Sequence, residues 1–392
     1  MKVAAHTLGC KLNYAETSDL LRRLAADGYE IVDFGDKADL YIINTCTVTA
    51  VAEKKCRNAI RQAVAQNPQA QVVVTGCMAE TSRDEIAAIP GVTAVYGNSR
   101  KPLLAHSSGD RTRTFFKIQD GCDYFCTYCA IPLARGRSRS ATIEETLCAA
   151  RRLSCPEVVL TGVNTGTFGQ AHGEQLIDLL RGLDNIETIA RYRISSIEPN
   201  LLTDEMIDFI ATSRAFLPHF HLPLQAGSDH VLKMMHRRYD TDFYRRKVFA
   251  IKEKMPDACI ATDVMAGFNG ETEAEFETVL QYIDSLPLSY LHVFTYSERP
   301  GTAALRMEEK IPVNIRRQHT ARLLELSEKK HNAFVDSQLG KCRPVLWESS
   351  SHDGTMQGWT DNYIRVARPF DRSRTATIEN IILAPENIIY ER

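Results

Sequence analysis

Two tracts of this chain repeat one pattern: a short apolar run, a turn carrying Gly or Cys, then an amphipathic helical stretch. Strands separated by helices pair in parallel and are covered on both faces, so this alternation constrains the fold more than any other feature. In the first tract, strand-like runs fall at Lys2–Leu8, Glu30–Phe34, Leu40–Ile43, Gln71–Val74 and Thr93–Tyr96. Helical patterns fall between them at Glu16–Ala26, Val48–Ala65 and Ser82–Ala88. In the second tract, strand-like runs open at Thr114, Glu157, Arg191, His219, Cys259 and Tyr290, with helical stretches between them. The expected fold class is α/β: a parallel sheet domain, then a partial (β/α)6 barrel whose chemistry sits at the C-terminal ends of its strands.

Cysteines occupy those ends. Cys10, Cys46 and Cys77 each lie one to three residues past a predicted strand. In a parallel sheet such positions share one edge, where ligands bind, so the three thiols are placed to converge on a metal centre. Cys56, in the middle of a helical pattern, reads as core. Cys122, Cys126 and Cys129 form a C-x3-C-x2-C string within Gly121-Cys122-Asp123-Tyr124-Phe125-Cys126-Thr127-Tyr128-Cys129. Thiolates select soft metals: zinc, copper(I) or iron–sulfur clusters. A closed zinc site needs a fourth Cys or His nearby, and the nearest histidines in sequence are His106 and His172. An iron–sulfur cluster with one iron free of cysteine fits better, and that iron can take a small chelating molecule.

The C-x3-C-x2-C string, with an aromatic residue before its last Cys, resembles the radical S-adenosylmethionine (SAM) superfamily. Lys117 to Cys122 and Ala134 to Ser140 narrow the likeness to the methylthiotransferases. So do Thr7-Leu8-Gly9-Cys10-Lys11-Leu12-Asn13, Asn44 to Thr49 and Thr75 to Glu80, and the resemblance spans nearly the whole chain. It implies an enzyme with two [4Fe-4S] clusters and SAM as cofactors. Cys122, Cys126 and Cys129 would hold the cluster that binds SAM. Cys10, Cys46 and Cys77 would hold an auxiliary cluster that presents sulfur. Gly162, Ser196, Glu198 and Gly267 would contact SAM. Asn269 stands where most of the family carries Pro. The Leu-Gly-Cys-Lys-Leu-Asn opening is most similar to the branch acting at carbon 2 of N-threonylcarbamoyladenosine at tRNA position 37. The implied partners are tRNA, SAM and a one-electron reductant such as flavodoxin or ferredoxin, acting on a monomer. The alternatives are the same chemistry on an isopentenyladenosine tRNA or a ribosomal-protein aspartate, or a non-enzymatic zinc-bearing RNA-binding protein.

Domains are expected at 1–105, 112–336 and 339–392, with a polar linker at 98–112. The last is a small all-β barrel, resembling the TRAM RNA-binding module, with strands at Arg343–Glu348, Thr355–Trp359, Tyr363–Val366, Arg374–Ile382 and Asn387–Tyr390. Asp353-Gly354 between extended runs signals a hairpin. Trp347, Trp359 and Tyr363, with Arg365, Arg368, Arg372 and Arg374, are the candidates to stack bases and meet phosphates. The net charge is −2, so any nucleic-acid contact is local. Arg135 to Arg139, Arg237-Arg238 and Arg245-Arg246-Lys247 are the basic runs available. No apolar run approaches the ~18 residues of a membrane span, so a cytoplasmic location is expected, with no membrane partner.

Overall fold

The computed structural model describes residues 1–107, 112–352 and 354–390. Its first unit runs β1 (Lys2–Thr7), α1 (Lys11–Ala26), β2 (Glu30–Val32), β3 (Leu40–Thr45), α2 (Ala50–Gln66), β4 (Gln71–Gly76), α3 (Cys77–Thr81), α4 (Arg83–Ala87) and β5 (Ala94–Tyr96). The strands form one parallel sheet in the order β2-β1-β3-β4-β5. Tyr41, Ile43, Val72 and Val74 pack with Ile60, Ala59 and Ala63 of α2 into the core beneath it. Helix α1 begins five residues earlier than its apolar stripe suggests, with Cys10 at its N-cap. Asn13 and Glu16 are buried polar residues in its first turns, which is why the hydrophobic pattern missed them.

The expected linker is partly built into the fold. Asn98–Arg100 forms a 3-10 turn, and β6 (Ala105–His106) pairs antiparallel with β7 (Arg113–Lys117). Beyond the short hairpin β8 (Gln119–Asp120) and β9 (Arg139–Ser140), with α5 (Ile131–Arg135) inside it, come α6 (Ile143–Ala150), β10 (Glu157–Thr161), α7 (Leu176–Asp184), β11 (Arg191–Ile194), α8 (Asp204–Thr212) and β12 (His219–His221). Then follow α9 (Asp229–Met234), α10 (Thr241–Lys254), β13 (Cys259–Ala266), α11 (Glu273–Asp284), β14 (Tyr290–Thr295) and α12 (Val313–Asp336). Two sheets, β11-β10-β7-β6 and β12-β13-β14, are joined by bridges Tyr192–Phe216 and Ser196–His221 into one curved wall. All six expected barrel strands are present.

Strand alternation sorts this wall into two faces. Phe116, Val158, Leu160, Tyr192, Phe220, Ile260 and Val264 point outward into the core shared with the helices. By the pairing registers, Arg113, Phe115 and Lys117 lie inward beside Glu157 and Val159 of β10, then Arg191 and Arg193 of β11. His219, His221, Asp263 and His292 complete the inner face on the far side. The inner face of the wall is thus charged, and its buried charges are paired with one another.

The C-terminal unit is a curled antiparallel sheet, a half-barrel: β15 (Cys342–His352), β16 (Thr355–Thr360), β17 (Arg365–Pro369) and β18 (Ile378–Ile382), in the order β17-β16-β15-β18. The strand expected at Asn387–Tyr390 reduces to one bridge, Ile388–Val366. Asp353, of the expected turn, lies outside the described residues. Arg191 and Arg193 fasten this unit to the barrel floor, donating to the carbonyls of Trp359 at 3.0 Å and Thr360 at 2.6 Å. Trp347 is buried at 1% exposure in the unit's core, so it is not a base-stacking surface. Trp359 and Tyr363 stack on each other at 4.5 Å, and the His219 ring lies tilted against Tyr363 at 4.4 Å. No described helix is long and apolar enough to cross a membrane.

Candidate metal centres at a shared cavity

The sheet registers bring the first three thiols together. Thr45 pairs with Gly76, so Cys46 and Cys77, the next residues, leave adjacent strands side by side. A Cβ on Gly9 would stand 3.2 Å from the Cys46 sulfur, which brings the Cys10 turn against the same point. Burial pushes the Cys46 thiol up to about 11, and the neighbouring Cys77 and Cys10 add to the rise. Cys77 is raised in the same way, chiefly by burial. Cys56 is not part of the triad: it lies in the core and accepts the Cys46 N–H at 3.3 Å.

The second triad is formed by the loop after β8. Burial pushes Cys122 up to about 11 and Cys129 up to about 12. Each of the three sulfurs accepts an N–H donor: Tyr124 N to Cys122 at 3.4 Å, Ile131 N to Cys129 at 3.5 Å, and Arg237 Nη1 to Cys126 at 3.2 Å. Thiols that each accept an N–H donor suit a cationic cluster. Coordination displaces the proton, and the donors then stabilise the thiolate. The second donor set fits an iron–sulfur cluster on these grounds, and the first fits by its three converging thiols, one of which accepts the Asn98 amide.

A cavity of about 210 Å³ lies between the loop after Cys46 and the second cysteine loop, and Cys129 is the one cysteine in its lining. Val48 and Thr49, just past Cys46, line one side, and Tyr128, Cys129, Gln225, Asp263 and Tyr296 line the other. Asn98 ties the first triad to α5, donating to the Cys77 sulfur at 3.7 Å and to the Ala134 carbonyl at 2.8 Å. Beneath lies a buried ionic knot. Glu16 takes Lys101 at 2.6 Å, Lys117 at 2.7 Å and Arg135 at 3.0 Å. Asp120 takes Lys117 and Arg135, both at 2.8 Å. Arg135 is 4% exposed, so it is not a phosphate contact as the basic run suggested; the Arg137 side chain is 78% exposed and pairs with Asp123 at 3.2 Å.

The residues expected to contact SAM sit in different settings. Gly162 lies against Gln119, whose Oε1 would be 2.9 Å from an added Cβ. Ser196 is half-buried, and its carbonyl accepts the Thr165 hydroxyl at 2.8 Å. Glu198 is ion-paired to Arg237, the same side chain that reaches Cys126. Gly267 makes room for Arg316, whose Cγ would be 2.5 Å from an added Cβ. Asn269 is fully buried and donates to the Ala304 carbonyl at 3.0 Å. Its amide thus has a packing role at the position where Pro was expected.

Sequence reading missed Lys11, Asn13, Glu16, Asp120 and the inward roles of Arg135 and Arg237. Lys11, Asn13 and Asp120 stand within three residues of a cysteine, whereas Glu16, Arg135 and Arg237 carry no such signal. Arg237→Met is expected to cost about 3 kcal/mol, because it strands the Glu198 carboxylate in a buried site. It should also move the reduction potential of any cluster held by Cys126. A urea midpoint and a redox titration matching wild type would refute both expectations.

Two family models match: residues 2–97 fit the uncharacterized protein family UPF0004, and residues 116–283 fit the radical SAM superfamily. The threonylcarbamoyladenosine tRNA methylthiotransferase MtaB of Bacillus subtilis is 38% identical, over 93% of this chain and 89% of its own. Its namesake from Aquifex aeolicus is 36% identical, over 94% and 97%. A tRNA-2-methylthio-N(6)-dimethylallyladenosine synthase from Desulfitobacterium hafniense is 30% identical, over 98% and 95%. Among solved structures, the radical SAM methyltransferase TsrM from Kitasatospora setae shares the fold, with a TM-score of 0.57 at 14% identity, over 77% of this chain and 76% of its own. With such likeness along nearly its whole length, this chain belongs to the radical SAM methylthiotransferase family.

Proposed function

We propose that the chain installs a methylthio group at carbon 2 of N-threonylcarbamoyladenosine at tRNA position 37. The observation that carries this reading is the convergence of the Cys10 turn, Cys46 and Cys77 at one sheet edge, in a chain more similar to threonylcarbamoyladenosine relatives than to a dimethylallyladenosine one. Cys122, Cys126 and Cys129 are assigned to the SAM-binding cluster, and Cys10, Cys46 and Cys77 to the auxiliary one. When bound, the clusters and SAM supply a radical able to attack an unactivated C–H, the sulfur, and the methyl group.

The protein's own groups hold and shield this chemistry. Arg237 ties Cys126 to Glu198, fixing the cluster loop against the expected ribose side. Gln119 accepts the Asn164 N–H at 2.9 Å and shapes the Gly162 turn, where SAM would approach backbone. Ser196 and Gly267 complete the assigned SAM contacts. Units 1–105, 112–336 and 339–392 serve as auxiliary-cluster, radical and RNA-holding parts. Arg137 and Arg372 are exposed cations for the phosphates. A one-electron reductant such as flavodoxin or ferredoxin serves a monomer in the cytoplasm.

Mass spectrometry of tRNA from a strain lacking the gene tests the reading. The 2-methylthio derivative of threonylcarbamoyladenosine should vanish there and return on complementation. Its persistence would remove the substrate assignment. Anaerobically reconstituted protein should hold about eight irons, falling to about four when either triad is replaced by Ala. Zinc in their place would favour the zinc-bearing RNA-binding alternative.

A further inference from the structure

Lys11 follows Cys10 and projects from the start of α1 into the barrel. Its Nζ lies 5.9 Å from the centroid of Phe115, on the inner face of β7, and Tyr14 of the next helical turn packs on the same ring. Among the described residues it takes no hydrogen bond or ion pair. The other cations of this interior are matched. Arg113 pairs with Glu348, Arg191 and Arg193 share Glu157, and Lys117 and Arg135 share Glu16. Asp263, the carboxylate facing Lys11's side of the chamber, is hydrogen-bonded to His221 at 2.8 Å. Lys11, Arg113, Arg191 and Arg193 therefore stand against Glu157, Glu348 and Asp263, and this inner face carries one surplus positive charge.

Lys11 nevertheless keeps more than a third of its surface open, although dense protein surrounds it. The combination describes a side chain that lines a walled space. His292 faces the same space, close enough to feel the Lys11 charge. It also borders the groove of about 540 Å³ that runs to Tyr290, Trp359, Tyr363 and Arg365 of the C-terminal junction. A chamber with an unmatched ammonium beside the auxiliary triad, entered past aromatic rings, fits a nucleobase bearing an anionic substituent.

We infer that Lys11 is the specificity residue for the substrate, its ammonium receiving the α-carboxylate of the threonylcarbamoyl group. The assignment rests on the function proposed above and deepens it. Threonine joined through its amine keeps a free carboxylate, whereas a dimethylallyl substituent has no charge. An ammonium without a carboxylate partner thus favours the nucleoside that brings one over the nucleoside that brings none. The neutral His292 ring stands alongside as a second donor.

The test uses reconstituted holoenzyme, kept anaerobic without SAM, and an anticodon stem-loop RNA carrying threonylcarbamoyladenosine. A matched RNA carries the threonyl group as its carboxamide. Binding is read by fluorescence anisotropy. Wild type should bind the carboxylate RNA at least about tenfold more tightly than the carboxamide, the scale of a hydrogen-bonded charge pair. Lys11→Met should lose that preference by weakening the carboxylate RNA alone, while Lys11→Arg keeps it. Iron content and melting temperature should match wild type in both variants. Equal weakening of both RNAs in Lys11→Met would place the ammonium on a phosphate and overturn the assignment. So would a wild type that binds both RNAs alike while still methylthiolating the carboxylate RNA, leaving the proposed function standing. A wild type unable to methylthiolate the carboxylate RNA with SAM and reductant would remove that function and this assignment together.

Discussion

Glu16→Ala is expected to lower the unfolding free energy by about 3–5 kcal/mol, the cost of removing one partner from a buried ion pair. The Glu16 side chain is 3% exposed and meets three cations within 3.0 Å: Lys101, Lys117 and Arg135. Without it, those three charges share Asp120 as their one carboxylate, and Lys101 has no contact with it. Burial alone would raise the Glu16 carboxyl, but Arg135, Lys101 and Lys117 outweigh it and hold the group far below the usual carboxylate range. A depressed folded-state pKa stabilises the fold fully above the ordinary value near pH 4.3 and loses that contribution as pH falls further. Urea midpoints should therefore differ most between wild type and variant at neutral pH. The difference should shrink on acidification below that value, as wild type weakens. An unchanged midpoint at pH 7 would refute the role of the knot. The knot also ties α1 to the loop of the second triad, because Asp120 lies two residues before Cys122, so the variant should also hold iron poorly at both triads.

The alternation of strands and helices was legible because it is enforced by burial: every barrel strand that the apolar runs placed is present. Cys10, Cys46 and Cys77 were legible for a related reason, since parallel pairing puts strand ends on one edge whatever the loops contain. The buried polar parts were not. Glu16, Lys117 and Arg135 read as surface charges in a one-dimensional pattern, because only the fold shows which carboxylate faces which cation. Arg135 stood in a run with Arg137 and Arg139, yet α5 turns it inward and leaves Arg137 exposed. The linker failed for another reason: Ala105–His106 is too short to show alternation, and pairs only because β7 offers an edge. The strand expected at Asn387–Tyr390 had the composition of one and found a single backbone partner.

Two glycines should separate the two triads in one experiment. Gly76 has φ +101°, and a Cβ there would lie 2.4 Å from the Thr45 carbonyl oxygen and 2.6 Å from its nitrogen. Both are backbone atoms that cannot rotate away, so Gly76→Ala must spread the ends of β3 and β4. Cys46 and Cys77 are the next residues on those strands, so the first triad opens. Gly121 has φ +71°, and a Cβ there would lie 1.9 Å from the Arg137 carbonyl oxygen. Gly121→Ala displaces the loop that begins with Cys122 and leaves the first sheet untouched. Each substitution adds about 1–2 kcal/mol of left-handed strain to its clash. Each variant should retain about four irons of about eight. Gly76→Ala should still cleave SAM under dithionite while its methylthiolation falls more than about 100-fold, because the group that presents sulfur is lost. Gly121→Ala should lose SAM cleavage itself. Were Gly76→Ala to keep all its iron, the strand ends would not be what positions Cys46 and Cys77. Were each variant to abolish the other's activity pattern as well, the triads would not be separate centres.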